Sequence, residues 1–228
     1  MISKFINLIK YIYFLKNYKI NRISIAQICK KYDLVNIYHP IDDSGGMTIQ
    51  EISYLILMIK SFNIKNVLEI GSFRGRTSIN LLKNKEDLKL YTLDLPEGIS
   101  DDKELKFKLK KTDKVQAFHN NKNYYLSKYK NSIENQSYAF HGDSAIFDFD
   151  IFNVKFDMII IDGSHKYENV LIDSENAIKY LNKNGIIIWH DYSFAHIEVV
   201  KAIHQIKEKY KINVCLLKNS SFAIYIRD

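Results

Sequence analysis

Four acidic residues stand where apolar runs end: Asp94 after Leu90–Leu93, Asp143 after Ala139–Gly142, Asp162 after Met158–Ile161, and Asp191 after Ile186–His190. Two histidines accompany them, His165 three residues past Asp162 and His190 directly before Asp191. Carboxylates at such points can accept hydrogen bonds from hydroxyls, hold a cation, or orient an imidazole. Asp162 and Asp191, brought to neighbouring strand ends, would repel each other, and a cation between them would relieve that repulsion. Imidazole titrates near neutrality, so His165, or failing that His190, suits removal of a hydroxyl proton. Plainer roles compete. An Asp at a strand end often caps a helix or forms a turn, a reading that weighs most on Asp143, and His165 can bond backbone where a helix starts.

Upstream of these acids runs Asn66–Leu82, a short apolar segment (Val67–Ile70), a turn through Gly71-Ser72-Phe73-Arg74-Gly75, and a helix-period segment carrying Thr77, Ile79, Leu81 and Leu82. Glycine lets the backbone approach a ligand, and the unpaired N–H groups of a first helical turn point toward it. The spacing Glu69-x-Gly71-x-x-x-Gly75 differs from the Gly-x-Gly-x-x-Gly of nicotinamide enzymes and counts against a dehydrogenase. Asp94, followed by Leu95, lies roughly twenty residues beyond the turn, where a carboxylate can bind ribose hydroxyls. His141-Gly142-Asp143-Ser144 makes a short polar turn suited to flanking a flat base. Glu69, inside its strand, reads as an acceptor for loop N–H groups rather than a catalyst.

The elements that must position these groups alternate. Strands are expected at 66–70, 88–94, 137–141, 156–162, 185–190, 212–217 and 222–227. Helices are expected at 76–83, 101–130 with a break, 144–151, 166–182 and 194–209. Alternation implies an α/β fold, a Rossmann-like doubly wound sheet with helices on both faces. Only Lys218–Ser221 joins the last two strands, too few residues for a crossover. The expected sheet therefore has seven strands, six parallel and an antiparallel terminal hairpin strand. Residues 1–47 read as an N-terminal extension, two helices broken near Asn21 and then a turn-rich loop with Ser44-Gly45-Gly46, and 48–228 as the main domain. Thr48 with Glu51 forms a capping box that opens a helix to about Lys60. The long stretch 96–136, rich in Lys and Tyr, is an insertion that reads either as a lid or as an enlarged, solvated helical pair. The loop from His39 to Met47 is also expected to fold over the pocket. His119, His196 and His204 are expected to have no role, and Trp189 to pack.

The chain has 228 residues, 46% hydrophobic and 26% charged, with net charge +7, and reads as globular. Its lysines are scattered, which argues against nucleic-acid binding. Cys29 and Cys215 have no metal-site or redox spacing and suit a reducing, cytoplasmic setting. No apolar stretch reaches membrane-span length. Met1–Lys16 is interrupted by Lys10 and has no small-residue cleavage site after it, so it reads as a helix packing on its own domain or on a second copy in a homodimer.

Glu69-x-Gly71-x-x-x-Gly75, Asp94, Gly142-Asp143-Ser144 and the terminal hairpin, taken together over 48–228, resemble class I S-adenosylmethionine-dependent methyltransferases. The nearer likeness is to O-methyltransferases, with Met47-Thr-Ile-Gln-Glu51 ahead of Val67–Gly71, and the Asp162-Gly-Ser-His165 and His190-Asp191-Tyr192 blocks similar to bacterial enzymes acting on sugars, glycans or secondary metabolites. The resemblance implies S-adenosylmethionine bound by Met47, Glu69, Gly71, Ser72, Phe73, Gly75, Thr77, Asp94, Leu95, Asp143, Ser144 and Asp162. It also implies a sugar or small-molecule acceptor. In catechol-type members an Asp and an Asp-Asn pair hold a divalent metal such as Mg2+. These positions correspond to Asp162, and to Asp191 with Tyr192, so the Asn is replaced and His190 or water would have to serve. His165 stands where those enzymes carry a Lys base. Without a metal, the acids would orient the acceptor directly. A catalytically idle module that holds S-adenosylmethionine or a glycan is the rival reading outside enzymology.

Overall fold

The computed structural model describes residues 2–17, 20–29, 34–41, 46–99, 105–117 and 123–228. The elements run α1 (Ile2–Asn17), β1 (Asn21–Ile23), α2 (Ile25–Ile28), α3 (Ile49–Ser61), β2 (Asn66–Ile70), α4 (Arg76–Asn84) and β3 (Lys89–Asp94). They continue as α5 (Lys111–Ala117), α6 (Tyr124–Lys128), α7 (Lys130–Ile133), β4 (Ser137–His141), β5 (Phe156–Ile161), α8 (Tyr167–Tyr180), β6 (Leu181–Trp189), α9 (Ile197–Tyr210), β7 (Val214–Leu217) and β8 (Ala223–Ile226). Among the described residues they form one sheet of eight strands, ordered β1-β7-β8-β6-β5-β2-β3-β4. Only β8 is antiparallel to its neighbours, slotted between β6 and β7.

Register explains the core. Val67, Met158 and Ile186 lie side by side, as do Leu68, Ile159 and Ile187 one residue on. Alternate residues of a strand face opposite sides, so the first set joins α3 and α4 in one apolar layer and the second joins α8 and α9 in the other. These central strands are apolar on both faces because both are covered. Each fully buried Ile contributes about 1.5–3 kcal/mol.

The expected sheet is therefore present, with one strand more than the sequence led us to expect. The break near Asn21 is not a kink between two helices but strand β1, which pairs parallel to β7 at Asn21–Cys215 and Ile23–Leu217. The helix expected at 144–151 is instead a turn followed by a short 3-10 segment, Phe149–Phe152, started by the Asp148 side chain and stopped by Asn153 at φ 50°. Its phenylalanines bury into the second apolar layer, which fixes their positions more strongly than helix periodicity does. The stretch 101–130 resolves into α5, α6 and α7, while residues 100–104 and 118–122, with His119, lie outside the described residues, as do Ser44 and Gly45. The Thr48–Glu51 capping box is formed. α1 packs on its own domain, with Tyr11 against Tyr192 (5.9 Å) and Phe14 stacked on His204 (5.0 Å). No helix among the described residues is long and apolar enough to cross a membrane.

Candidate active site

The parallel strands end together. Ile70 is in register with Leu93 on one side and Ile161 on the other, and Ile161 with Trp189. The ladder continues one residue further: Gly71 N–H donates to Leu93 O, Asp162 N–H to Ile70 O, His190 N–H to Ile161 O, and Gly142 N–H to Asp94 O. Gly71, Asp94, Gly142, Asp162 and His190 therefore emerge at one end of the sheet, where ligands bind in open parallel sheets.

Gly71 sits at φ +87°, and a Cβ there would lie 2.4 Å from the Asp162 carbonyl oxygen. Only glycine lets β2 and β5 meet so closely at their ends. Phe73, two residues on, is held at φ 47°, a strained conformation for a bulky side chain. Its N–H donates to Asp94 Oδ2 (2.5 Å), and Leu95 N–H donates to Asp94 Oδ1 (2.7 Å). The turn is thus tied to the end of β3.

Two adjoining cavities meet here. The first is walled by Ile70, Leu93, Leu95, Leu105, Leu109 and Ala117, with Asp94, Asp143, Ser144 and Asn169 as polar points. The second is lined by Met47, Glu69, Ser72, Thr77, Arg74, Arg76, His165, His190 and Asp191. Gly71, Phe73 and Asp162 border both. Of the residues expected to touch a cofactor, all but Gly75 line one cavity or the other. Gly75 instead starts α4 at φ +76°, where a Cβ would meet Leu126 at 2.8 Å. Glu69 is buried, bonded by the Ser78 hydroxyl, and burial pushes its carboxyl up to about 8. Arg76 spends its guanidinium on the carbonyls of His39, Pro40 and Met47 and so holds the upstream segment beside the second cavity.

Among the described residues, the second cavity ends in a cluster of four carboxylates and three imidazoles. His190 Nδ1 lies 2.8 Å from Asp162 Oδ1 and 3.1 Å from Asp191, and its Nε2 is 3.5 Å from Glu51. His165 Nδ1 bonds Asp113 (2.7 Å) and its Nε2 bonds Asp191 (2.7 Å). A neutral imidazole has one donor and one acceptor, so a ring between two carboxylates is held as the cation. Burial opposes that charge at His165, yet Asp113 and Asp191 raise it to about 9. Burial likewise opposes the His190 cation, and Asp162, with Asp191 and Glu51, raises it well above the ordinary range. In turn, hydrogen bonds overcome burial at Glu51 and Asp191 and hold both carboxyls far down. Asp162 differs. Burial holds its carboxyl above the usual carboxylate range, although His190 pulls the other way. In this arrangement His165 is not a free base, because both its nitrogens are committed as donors.

Three participants escaped the sequence reading. Glu51 looked like a cap and is one, but its capping oxygen, Oε2, also faces His190, and its other oxygen, Oε1, accepts from Ser221 N–H (2.9 Å). Asp113 comes from the insertion. His196, expected to be idle, stacks on His165 at 4.1 Å and stands 3.8 Å from Asp191. Tyr192 does not join the cluster: it is buried, with its Oη 2.8 Å from His204 Nε2. Of the residues able to ligate a cation, Asp162, His190 and Asp191 bring donor atoms within 4.8 Å of one another, as do His165, Asp191 and His196.

A sequence profile described as a methyltransferase domain matches residues 68–192, more than half of the chain. The chain is 32% identical over 126 residues to protein R132 of Acanthamoeba polyphaga mimivirus, a match covering 55% of this chain and half the length of that relative. The O-methyltransferase of Bacillus cereus, solved with S-adenosylhomocysteine, superimposes with a TM-score of 0.57 at 15% identity, over 81% of this chain and 84% of that one. TomG, the Streptomyces achromogenes O-methyltransferase of tomaymycin synthesis solved with S-adenosylmethionine, gives a TM-score of 0.54 at 14% identity, over 80% and 81%. These structures share the fold, and with the profile match spanning β2 through the His190-Asp191-Tyr192 turn, the chain belongs to the methyltransferase domain family.

Proposed function

We propose that the protein is an S-adenosylmethionine-dependent O-methyltransferase acting on a hydroxyl of a sugar, glycan or small metabolite. The observation that carries this reading is the pair of cavities meeting at Gly71 and Asp162, one apolar with a ribose-type carboxylate, the other acidic and histidine-lined. Asp94 suits two ribose hydroxyls, and Leu95, Leu105 and Leu109 suit the faces of a purine. S-adenosylmethionine, when bound, supplies an electrophilic methyl group on a sulfonium sulfur.

The acceptor hydroxyl would lie in the second cavity against Asp162, in line with the donor. As its oxygen gains the methyl, its proton passes to the Asp162 carboxylate, whose proton affinity burial has raised. The cofactor would supply the leaving group for that transfer, keeping the carbon–sulfur electron pair on sulfur. His165 and His190, both held as cations, fix Asp191 and Asp162 in place rather than acting as bases.

A divalent cation held by Asp162 and Asp191, with His190 giving up its proton to serve as a third ligand, would lower the acceptor's pKa. The mixed carboxylate–imidazole donor set favours Mn2+ over Mg2+, which prefers oxygen alone. We further propose a cytoplasmic setting, in which the free thiols of Cys29 and Cys215 stay reduced, and pairing of two copies through the exposed apolar face of α1, which light scattering would test.

Calorimetric titration with S-adenosylmethionine and S-adenosylhomocysteine, with Mn2+, with Mg2+ and with chelator, tests the reading. Micromolar binding of both ligands is expected. A folded protein that gives no heat with either would exclude the cofactor, and binding with no methyl transfer to any hydroxylated acceptor would favour an idle binding module.

A further inference from the structure

Asn169 lies in the first turns of α8, 7% exposed, and its side chain lines the first cavity beside Asp143, Ser144 and Gly163. Its Oδ1 is buried and finds no hydrogen-bond partner among the described residues. One helical turn on, Asp173 is 1% exposed, with an Oδ1 in the same condition, and the Ser144 hydroxyl bonds its carboxyl. Buried acceptors are nearly always satisfied, because an orphan forfeits its hydration with nothing in return. At i and i+4 the two residues share one face of α8. This face is turned toward the polar loop at the end of β4, where Ser144 bonds Asp173, and it also borders Gly163.

We propose that Asn169 is a specificity-determining residue, its Oδ1 accepting a hydrogen bond from the exocyclic 6-amino group of the purine of the bound cofactor. The inference rests on the S-adenosylmethionine reading and adds to it the atom that identifies the base. Asp94, at the glycine-turn end of the same cavity, is left for the ribose, and the leucines for the ring faces. A purine that carries an oxygen at position 6 would set acceptor against acceptor and leave Asn169 unpaired. Asp173 acts behind it by holding Ser144, which keeps the loop's backbone beside the base.

The test is the affinity of the protein for S-adenosylhomocysteine and for S-inosylhomocysteine, in which a carbonyl replaces the 6-amino group and N1 carries a proton, measured by calorimetry. The wild type should bind the adenosyl compound about 10- to 100-fold more tightly. Asn169→Leu should lose most of that preference, to within about threefold, mainly by weaker binding of the adenosyl compound. Asn169→Asp, which keeps an acceptor at the same place, should retain it. Equal wild-type affinities would overturn the inference even if Asn169→Leu failed to fold, as would an undiminished preference in a folded Asn169→Leu. Both results leave the cofactor reading standing. Binding of neither compound by the wild type would remove that reading and the inference with it.

Discussion

Asp113 and His165 are 52 residues apart in the chain, yet one carboxylate gathers the whole loop after β5. It accepts from His165 Nδ1 (2.7 Å), from the His165 backbone N–H (2.9 Å) and from Ser164 Oγ (3.0 Å). The insertion is thereby fastened across the mouth of the first cavity, which Asp113 and Ala117 help to wall. Asp113→Ala strands three donors at once and should destabilise the protein by about 1–3 kcal/mol. It should also make α5 exchange amide hydrogens faster. Denaturant unfolding and hydrogen-exchange mass spectrometry check this, and unchanged protection of 111–117 would show that the pair does not fasten the segment.

Gly71→Ala should be among the costliest single changes. The new Cβ would meet the Asp162 carbonyl oxygen at 2.4 Å and Gly163 Cα at 2.5 Å, and φ +87° is itself unfavourable for alanine. Overpacking and left-handed strain together should cost about 3 kcal/mol. A thermal melt measures the loss, and S-adenosylhomocysteine should no longer raise the midpoint.

Glu69 gives a pH signature. Its carboxyl, raised by burial to about 8 against an ordinary value near 4.5, binds its proton more tightly in the folded chain than in the unfolded one. The folded state therefore loses stability as pH rises from about 4.5 to 8, and the loss is complete above that range. Glu69→Gln has no proton to lose and should gain on the wild type across that interval. Urea unfolding of both proteins at pH 5 and pH 8.5 tests it, and a constant difference between them would refute the assignment.

How much of this could be read from residues alone follows from how far apart the partners lie. Gly71, Asp94, Asp143, Asp162 and Asp191 were legible because a parallel sheet gathers its strand ends, so position along the chain translates into position in space. Asp113, Glu51 and His196 were not. Asp113 sits in a Lys-rich insertion and meets its partner 52 residues on, and Glu51 meets Ser221 at a separation of 170. Nothing in local spacing encodes such pairs. His165 was legible as a site residue, but its protonation was not, because that depends on Asp113. Strand β1, three residues long, carries no periodic signal and exists because β7 is there to pair with it.

His204 should respond to acid in the opposite sense to Glu69. It is 2% exposed beneath Phe14, and burial, with Lys207 nearby, lowers its imidazole to about 4. An ordinary imidazole in the unfolded chain takes its proton near 6.5, so the folded state loses stability as pH falls from 6.5 toward 4. The loss from this group should be roughly 1–3 kcal/mol. His204→Gln should lack it, and the wild type's advantage over the variant should shrink between pH 7 and pH 4.5 in urea titrations.

The pairing of β1 with β7 bears on how the protein avoids its own kind. Asn21, Arg22 and Ile23 occupy the ladder positions opposite Cys215, Leu216 and Leu217, and Lys218 N–H donates to Ile23 O. A chain trimmed to begin at Ser24 would leave the outer rim of β7 as a bare row of N–H and C=O groups, flanked by buried leucines and a free thiol. Such a rim is a template for any passing strand, including the same strand of another molecule. The first residues thus act as a guard rail against edge-to-edge aggregation, whatever else the helix before them does.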